Sequence, residues 1–288
     1  MATANMKDVK RRIKSVESTK QITKAMELVA SSKLRRAKER ALAVQPFFET
    51  LYDIMSDISS DPAFRSVYTK KKFKKTTLLI VIAGDRGLAG GYNTNVLKIA
   101  EQRIQKLMSE NEQVSIMAIG KKAVEYFDKR DYDVTDRYPN IAESLDIYEA
   151  MDIADEIIVR FRCLEFDRVE LVYTTFVSAL TQQPVEVSVL PVENLESSDI
   201  GKRSLTEYDP SPEEVFDGLV PQYLCGILYA AIVDSFASEQ AARRTAMESA
   251  SDNADEMINQ LSLLYNRARQ AQITQEINEI SSGSLREE

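Results

Sequence analysis

From residue 30 onward, small and apolar residues fall at Ala30, Leu34, Ala37, Ala41, Val44, Phe48, Leu51, Met55 and Ile58, in alternating steps of four and three. That is the period of a helix packed in a coiled coil. Met6, Val9, Ile13 and Val16 show the same steps, with a slip over residues 20–23. Pro46 is expected to kink or locally break this helix, and Asp61-Pro62 to end it. The far end of the chain has the same pattern, at Ala250, Ala254, Met257, Leu261, Leu264, Ala268 and Ala271. Its start is marked by Ser211-Pro212-Glu213-Glu214, with an N-cap serine, a first-turn proline and first-turn acids. Gly218 and Pro221 are expected to interrupt the first piece. Residues 222–281 then read as one helix, with Gly283 as its stop.

Between these ends the pattern changes. A charged linker, residues 70–75 (KKKFKK), precedes a continuous apolar run, residues 77–83 (TLLIVIA), suited to a strand buried on both faces. Helical spacing follows over 94–108, 121–129 and 145–161. Strands are predicted over 114–119, 168–176 and 185–190, and a loop over 193–211. The alternation of strand and helix argues for a small α/β domain with a largely parallel sheet. The fold class is therefore α/β: a long antiparallel coiled coil of the N- and C-terminal helices plus a small Rossmann-like α/β domain. The divisions are residues 1–60, 76–192 and 211–283.

Length supports that arrangement. Sixty helical residues span roughly 90 Å, whereas a compact globule of 288 residues is only about 50 Å across. The C-terminal helix must project, and its apolar stripe needs a partner. The N-terminal helix, with the same period, supplies it.

Composition then narrows the chemistry. Histidine is absent, which removes every His-based triad, metal site and general base. The two cysteines, Cys163 and Cys225, lack metal spacing and read as small core residues. No apolar run approaches the roughly 20 residues that span a bilayer, and the basic start has no apolar signal region. The net charge of −8 is unevenly spread: residues 1–40 carry twelve Lys or Arg against four acids. An anionic partner for that end follows. No nucleic-acid reader module accompanies the basic helix, and a solvated face or screened attraction to an acidic protein accounts for it.

Two candidate sites have other readings. Residues 84–91 (GDRGLAGG) sit between a strand and a helix, where a dinucleotide loop would lie. The spacing is not G-x-G-x-x-G and no Gly-Lys-Ser/Thr follows, so a tight turn packed against a neighbour is the expectation. Asp234, Glu239, Glu248, Asp252, Asp255 and Glu256 offer paired carboxylates, with Glu248 and Asp252 one helical turn apart, but on a rod they read as a solvated polar face.

Residues 22–37 (ITKAMELVASSKLRRA) and 242–280 (ARRTAMESASDNA…ARQAQITQEINEI) resemble the terminal signatures of the gamma subunit family of F-type ATP synthases, and residues 84–93 (GDRGLAGGYN) resemble that family's turn after the first strand. The resemblance covers nearly the whole chain, in order. It implies a non-catalytic rotating shaft without a cofactor, passing through three alpha and three beta subunits. The shaft would rest on the epsilon subunit and the membrane c-ring and couple proton flow to ATP synthesis or hydrolysis. It implies a place on the cytoplasmic face of a bacterial inner membrane, with no direct membrane insertion and no nucleic acid. By position, Arg269 and Gln270 match the pair that engages a beta-subunit loop, with Thr274 and Glu276 in the same zone. Lys24 and Met26 fall in the stretch facing the beta lever region, and Arg243 in the Arg-rich start of the C-terminal signature. Ala89 stands where the family usually has a cysteine. The alternative is a nucleotide-binding α/β protein with a coiled-coil appendage, supported by the strand–helix order and the 84–91 turn alone.

Overall fold

The structure is a computed structural model that describes residues 6–61, 63–69, 75–192, 195 and 207–284, with the backbone alone for 279–284. The chain divides into two compact units, one of residues 31–243 and one of residues 1–30 with 244–288. The linker over 70–74 and most of the 193–211 loop lie outside the described residues.

The unit of residues 31–243 is built on a five-stranded sheet in the order β3-β2-β1-β4-β5. The strands are β1 (Thr76–Ile82), β2 (Gln113–Ile119), β3 (Val134–Tyr138), β4 (Arg168–Phe176) and β5 (Gln182–Leu190). β1 pairs in parallel with β2 on one side and with β4 on the other, Ile80 facing Met117 and Leu171. β5 returns antiparallel to β4 and forms one edge of the sheet. It bears Pro184 opposite Thr174, and Glu186 opposite Val172.

Both faces are covered, which is why β1 is an unbroken apolar run. Leu78 through Ile82 are all 0% exposed, each contributing about 1.5–3 kcal/mol by burial. Alternation splits them. Leu79, Val81 and Ala83 pack with Val96, Ala100 and Ile104 of α2 (Tyr92–Ser109) and with Ala123 and Phe127 of α3 (Lys121–Phe127). Leu78, Ile80 and Ile82 pack with α4 (Ile147–Arg162), the 31–59 part of α1 (Met6–Ser59) and the 212–243 part of α5 (Pro212–Ser284). Asp146 caps α4 by accepting from the Glu149 N–H at 2.8 Å, and Glu149 reciprocates.

Both long helices run through the prolines expected to break them. Pro46 and Leu42, whose carbonyl would otherwise receive the missing N–H, are both exposed, so that carbonyl faces solvent rather than the core. The neighbours Val44, Phe48 and Leu51 hold the backbone to the core. Around Pro221, Phe216, Val220, Leu224 and Leu228 are each 0% exposed, and their burial outweighs one lost hydrogen bond. Gly226 is required by close approach: a Cβ there would lie 2.2 Å from the Phe48 ring. Ser211 caps the start of α5, its Oγ accepting from Glu214 N–H at 3.2 Å.

Three further expectations are corrected. β3 was not predicted; its alternating Asp136 and Arg137 pattern lacks apolar continuity. Cys163 is exposed at the end of α4, while Cys225 is buried, its thiol pushed up to about 11 by burial. One 18-residue window of α5 is apolar enough by length and composition to cross a membrane, though half of it is buried within the protein itself.

Candidate partner-contact surfaces

The turn after β1 is held from every side by the chain's own groups. Asn93 Oδ1 accepts from the Gly84 N–H at 2.8 Å, and its Nδ2 donates to the Arg86 carbonyl at 3.2 Å. Asp85 Oδ1 accepts from the backbone N–H of Lys121 and of Asn140, both at 2.8 Å, tying the turn to the start of α3 and the segment after β3. α5 closes it. Arg243 Nη2 donates to the Gly87 carbonyl at 3.1 Å and to Glu239 Oε1 at 2.5 Å. Tyr92 and Ser235 share a buried hydroxyl hydrogen bond of 2.7 Å.

Burial holds the Glu239 carboxyl above its usual range, against the pull of Arg243. The same burial, with the Glu239 charge, keeps the Tyr92 phenol well above its ordinary value. A Cβ at Gly84 would come within 2.7 Å of Glu239 Cδ. The space a phosphate would need therefore faces a carboxylate, which repels an anion. The turn is packed against a neighbour, as its spacing indicated, and that neighbour is α5. Gly120 closes the adjoining corner at φ +92°, where a Cβ would sit 2.0 Å from the Ala83 carbonyl oxygen.

Arg243, a candidate partner-contact residue, is thus 7% exposed with its guanidinium engaged inside the chain. The remaining candidates lie in the other unit. There the two chain ends pair antiparallel: Lys20 Nζ meets Asp255 Oδ1 at 2.5 Å and Thr23 Oγ1 meets Ser251 Oγ at 2.7 Å. Lys24 is exposed and donates to Glu27 Oε2 at 3.0 Å. That hydrogen bond, the Glu27 charge, and those of Glu248 and Asp252 hold its ammonium above the usual lysine value. Met26 is half-buried.

Arg269, Gln270, Thr274 and Glu276 are all exposed on α5. Thr274 Oγ1 donates to the Gln270 carbonyl at 2.9 Å, and Glu276 Oε1 accepts from Gln272 at 2.9 Å. These are helix-local contacts that leave the outer surface accessible. Exposed Ile273 and Ile277, 47% and 59% accessible, interleave with them.

Sequence reasoning missed the polar middle of the paired helices. Lys20, Thr23 and Glu27 sit at seam positions, so the steps of three and four run from Met6 to Ile58 without a slip. Continuing the count through polar residues would have found them. On α5 the seam is Met247, Ser251, Ala254, Ile258, Leu261, Tyr265 and Ala268. Met257 and Leu264, taken as seam residues, are 50% and 49% exposed. Glu239, expected on a solvated face, is instead 3% exposed and closes the turn, and although Asp85 and Asn93 stand in the 84–93 motif, nothing local in the sequence names the backbone groups they hold.

The class defined by this architecture is a mixed α/β protein whose two terminal helices pair antiparallel, with a polar layer inside the pair. A chain of the Euglena gracilis mitochondrial ATP synthase (OSCP/F1/c-ring) has this fold, with a TM-score of 0.65 at 20% identity over 97% of this chain and 93% of that one. A family model described as ATP synthase matches residues 5–285. The ATP synthase gamma chain of Ruminococcus albus is 68% identical over 283 residues, 98% of each chain, and that of Alkaliphilus metalliredigens is 47% identical over 97% of each. The chain belongs to the ATP synthase gamma-chain family.

Proposed function

We propose that this chain is the central rotating shaft of an F-type ATP synthase. It couples proton flow through a membrane ring to conformational change, and so to ATP synthesis or hydrolysis, in catalytic beta subunits. The observation that carries the reading is 68% identity, over 98% of both chains, to an ATP synthase gamma chain. The segments 1–60 and 211–283 act as the shaft and 76–192 as its foot. Its partners are three alpha and three beta subunits, the epsilon subunit and the c-ring, at the cytoplasmic face of a bacterial inner membrane.

The chain itself is non-catalytic. The turn over residues 84–91 supports this, being filled by Glu239 and Arg243 where a nucleotide would need room. Arg269, Gln270, Thr274 and Glu276, with Lys24 and Met26, form the beta-facing surface. Arg243 serves the same coupling from inside, by fixing the 84–91 turn to α5. A shaft acts by differential contact with distinct conformers of its neighbours, and exposed side chains on one helix suit that role.

Purification of the tagged chain in mild detergent tests the reading. Alpha and beta subunits in threefold excess, with ATPase activity, are expected. Recovery of the chain alone, or with nucleic acid, would overturn it.

A further inference from the structure

A cavity of about 450 Å³ opens in the unit of residues 31–243, between the 41–53 stretch of α1, Tyr173 of β4 and residues 230–234 of α5. None of the candidate partner-contact residues is among its described lining. Its volume lies within the range of small-molecule sites.

Two rings and one anchored acceptor shape it. Phe48 is seated on Gly226 so closely that no side chain fits there, which fixes the ring. Ala41, Val44 and Ala230 continue the apolar wall beside it. The second ring is Tyr173. Burial, and then the Asp234 charge, raise its phenol, yet its hydroxyl gives no hydrogen bond to that carboxylate. Asp234 is held by two donors on different oxygens: Thr175 Oγ1 reaches Oδ2 at 2.6 Å, and the Phe176 N–H reaches Oδ1 at 3.1 Å. A carboxylate has about four lone-pair positions, so each oxygen of this fixed group keeps one for a further donor. On the α1 side, Gln45 donates to Glu49 at 2.6 Å, so those two lining side chains hold each other.

These walls suit a flat ring that carries a donor. Ring faces reward an aromatic body. A ligand without a donor would strip water from Asp234 and return nothing for it, and an anion would meet that charge at close range. We propose that this cavity binds a small planar aromatic molecule with an N–H or O–H donor, of the indole or phenol class, its ring against Phe48 and Tyr173 and its donor on Asp234.

Indole is the probe that tests this. The chain has no tryptophan, so indole excited beyond the tyrosine band fluoresces without protein background, and its anisotropy reports binding to the full chain. A saturable rise is expected. 1-Methylindole, with the same ring and no donor, should bind roughly tenfold more weakly. Asp234→Asn should narrow that gap between the two probes. Ala230 is exposed at the wall, so Ala230→Phe fills the space without disturbing the core and should abolish binding. Circular dichroism checks that both variants fold. No saturable binding up to about 5 mM indole, near the weak end of small-ligand affinity, would overturn the proposal. So would equal affinity for 1-methylindole, an unchanged gap in Asp234→Asn, or unchanged binding in Ala230→Phe. Binding by the isolated chain that the assembled complex excludes would mark an aromatic side chain of a partner subunit as the occupant, and that also overturns a small-molecule role.

Discussion

Arg243 donates to two turn carbonyls and to the Glu239 carboxylate, and both side chains are buried. Arg243→Ala would leave that carboxylate without its cation, a change that costs about 3 kcal/mol or more in buried pairs. Urea denaturation should show the loss, and Arg243→Lys should recover part of it. Gly120→Ala should cost about 3 kcal/mol or more as well, because it adds a Cβ at positive φ against a carbonyl 2.0 Å away. A drop in melting temperature measures it. Glu239 gives a pH test. Its folded-state pKa lies above the ordinary glutamate value, so in the window just above that value the native state holds more protons than the unfolded one. Stability from this group therefore falls as pH rises through the window. Denaturation from pH 4 upward (about the unperturbed carboxyl range) should show wild type losing stability relative to Glu239→Gln. At this scale little was legible in the sequence. The glycines of the 84–91 turn were visible, but Glu239 and Arg243 lie some 150 residues away, and only the folded chain brings them together.

The elements were far more legible, because their signals are local. The buried run of β1, the capping residues of α5 and the helical spacing of α2 and α4 each follow from a few neighbours in sequence. β3 escaped because its charged residues break the apolar alternation, and the seam of the paired helices was misjudged where polar residues occupy it. Thr23 and Ser251 hydrogen-bond inside that seam, both buried. Thr23→Val or Ser251→Ala alone breaks the shared hydrogen bond but leaves the other hydroxyl a backbone acceptor, the Met247 carbonyl at 2.9 Å for Ser251 or the Lys20 carbonyl at 3.0 Å for Thr23, and the double change loses that same shared bond only once. The double variant should therefore lose less stability than the two single losses added, by about 1 kcal/mol. Lys20 and Asp255 are 39% and 51% exposed, and breaking that pair should cost well under 1 kcal/mol. The polar layer sets which residues face each other more than it adds stability.

At the scale of the whole molecule, each long helix contributes residues to both units, so neither unit is a continuous piece of sequence. The periodicity of the two ends made their pairing legible, whereas the boundary near residues 30 and 243 left no mark in the sequence. Gln270→Ala tests the proposed role at this scale. The side chain is exposed, so stability should shift by no more than about 0.5 kcal/mol. ATP hydrolysis and synthesis by the assembled complex should fall, and unchanged rates would count against a beta-facing role for this residue. The β5 edge bears on an earlier moment in the life of the chain. An open strand edge is a template on which a newly made polypeptide recruits copies of itself. Pro184 has no N–H to give to such a recruit, and Glu186 is held to Arg103 of α2 at 3.0 Å, which ties the strand to the helix beneath it. A chain released from the ribosome before its companions are at hand is thereby kept from sticking to its own kind.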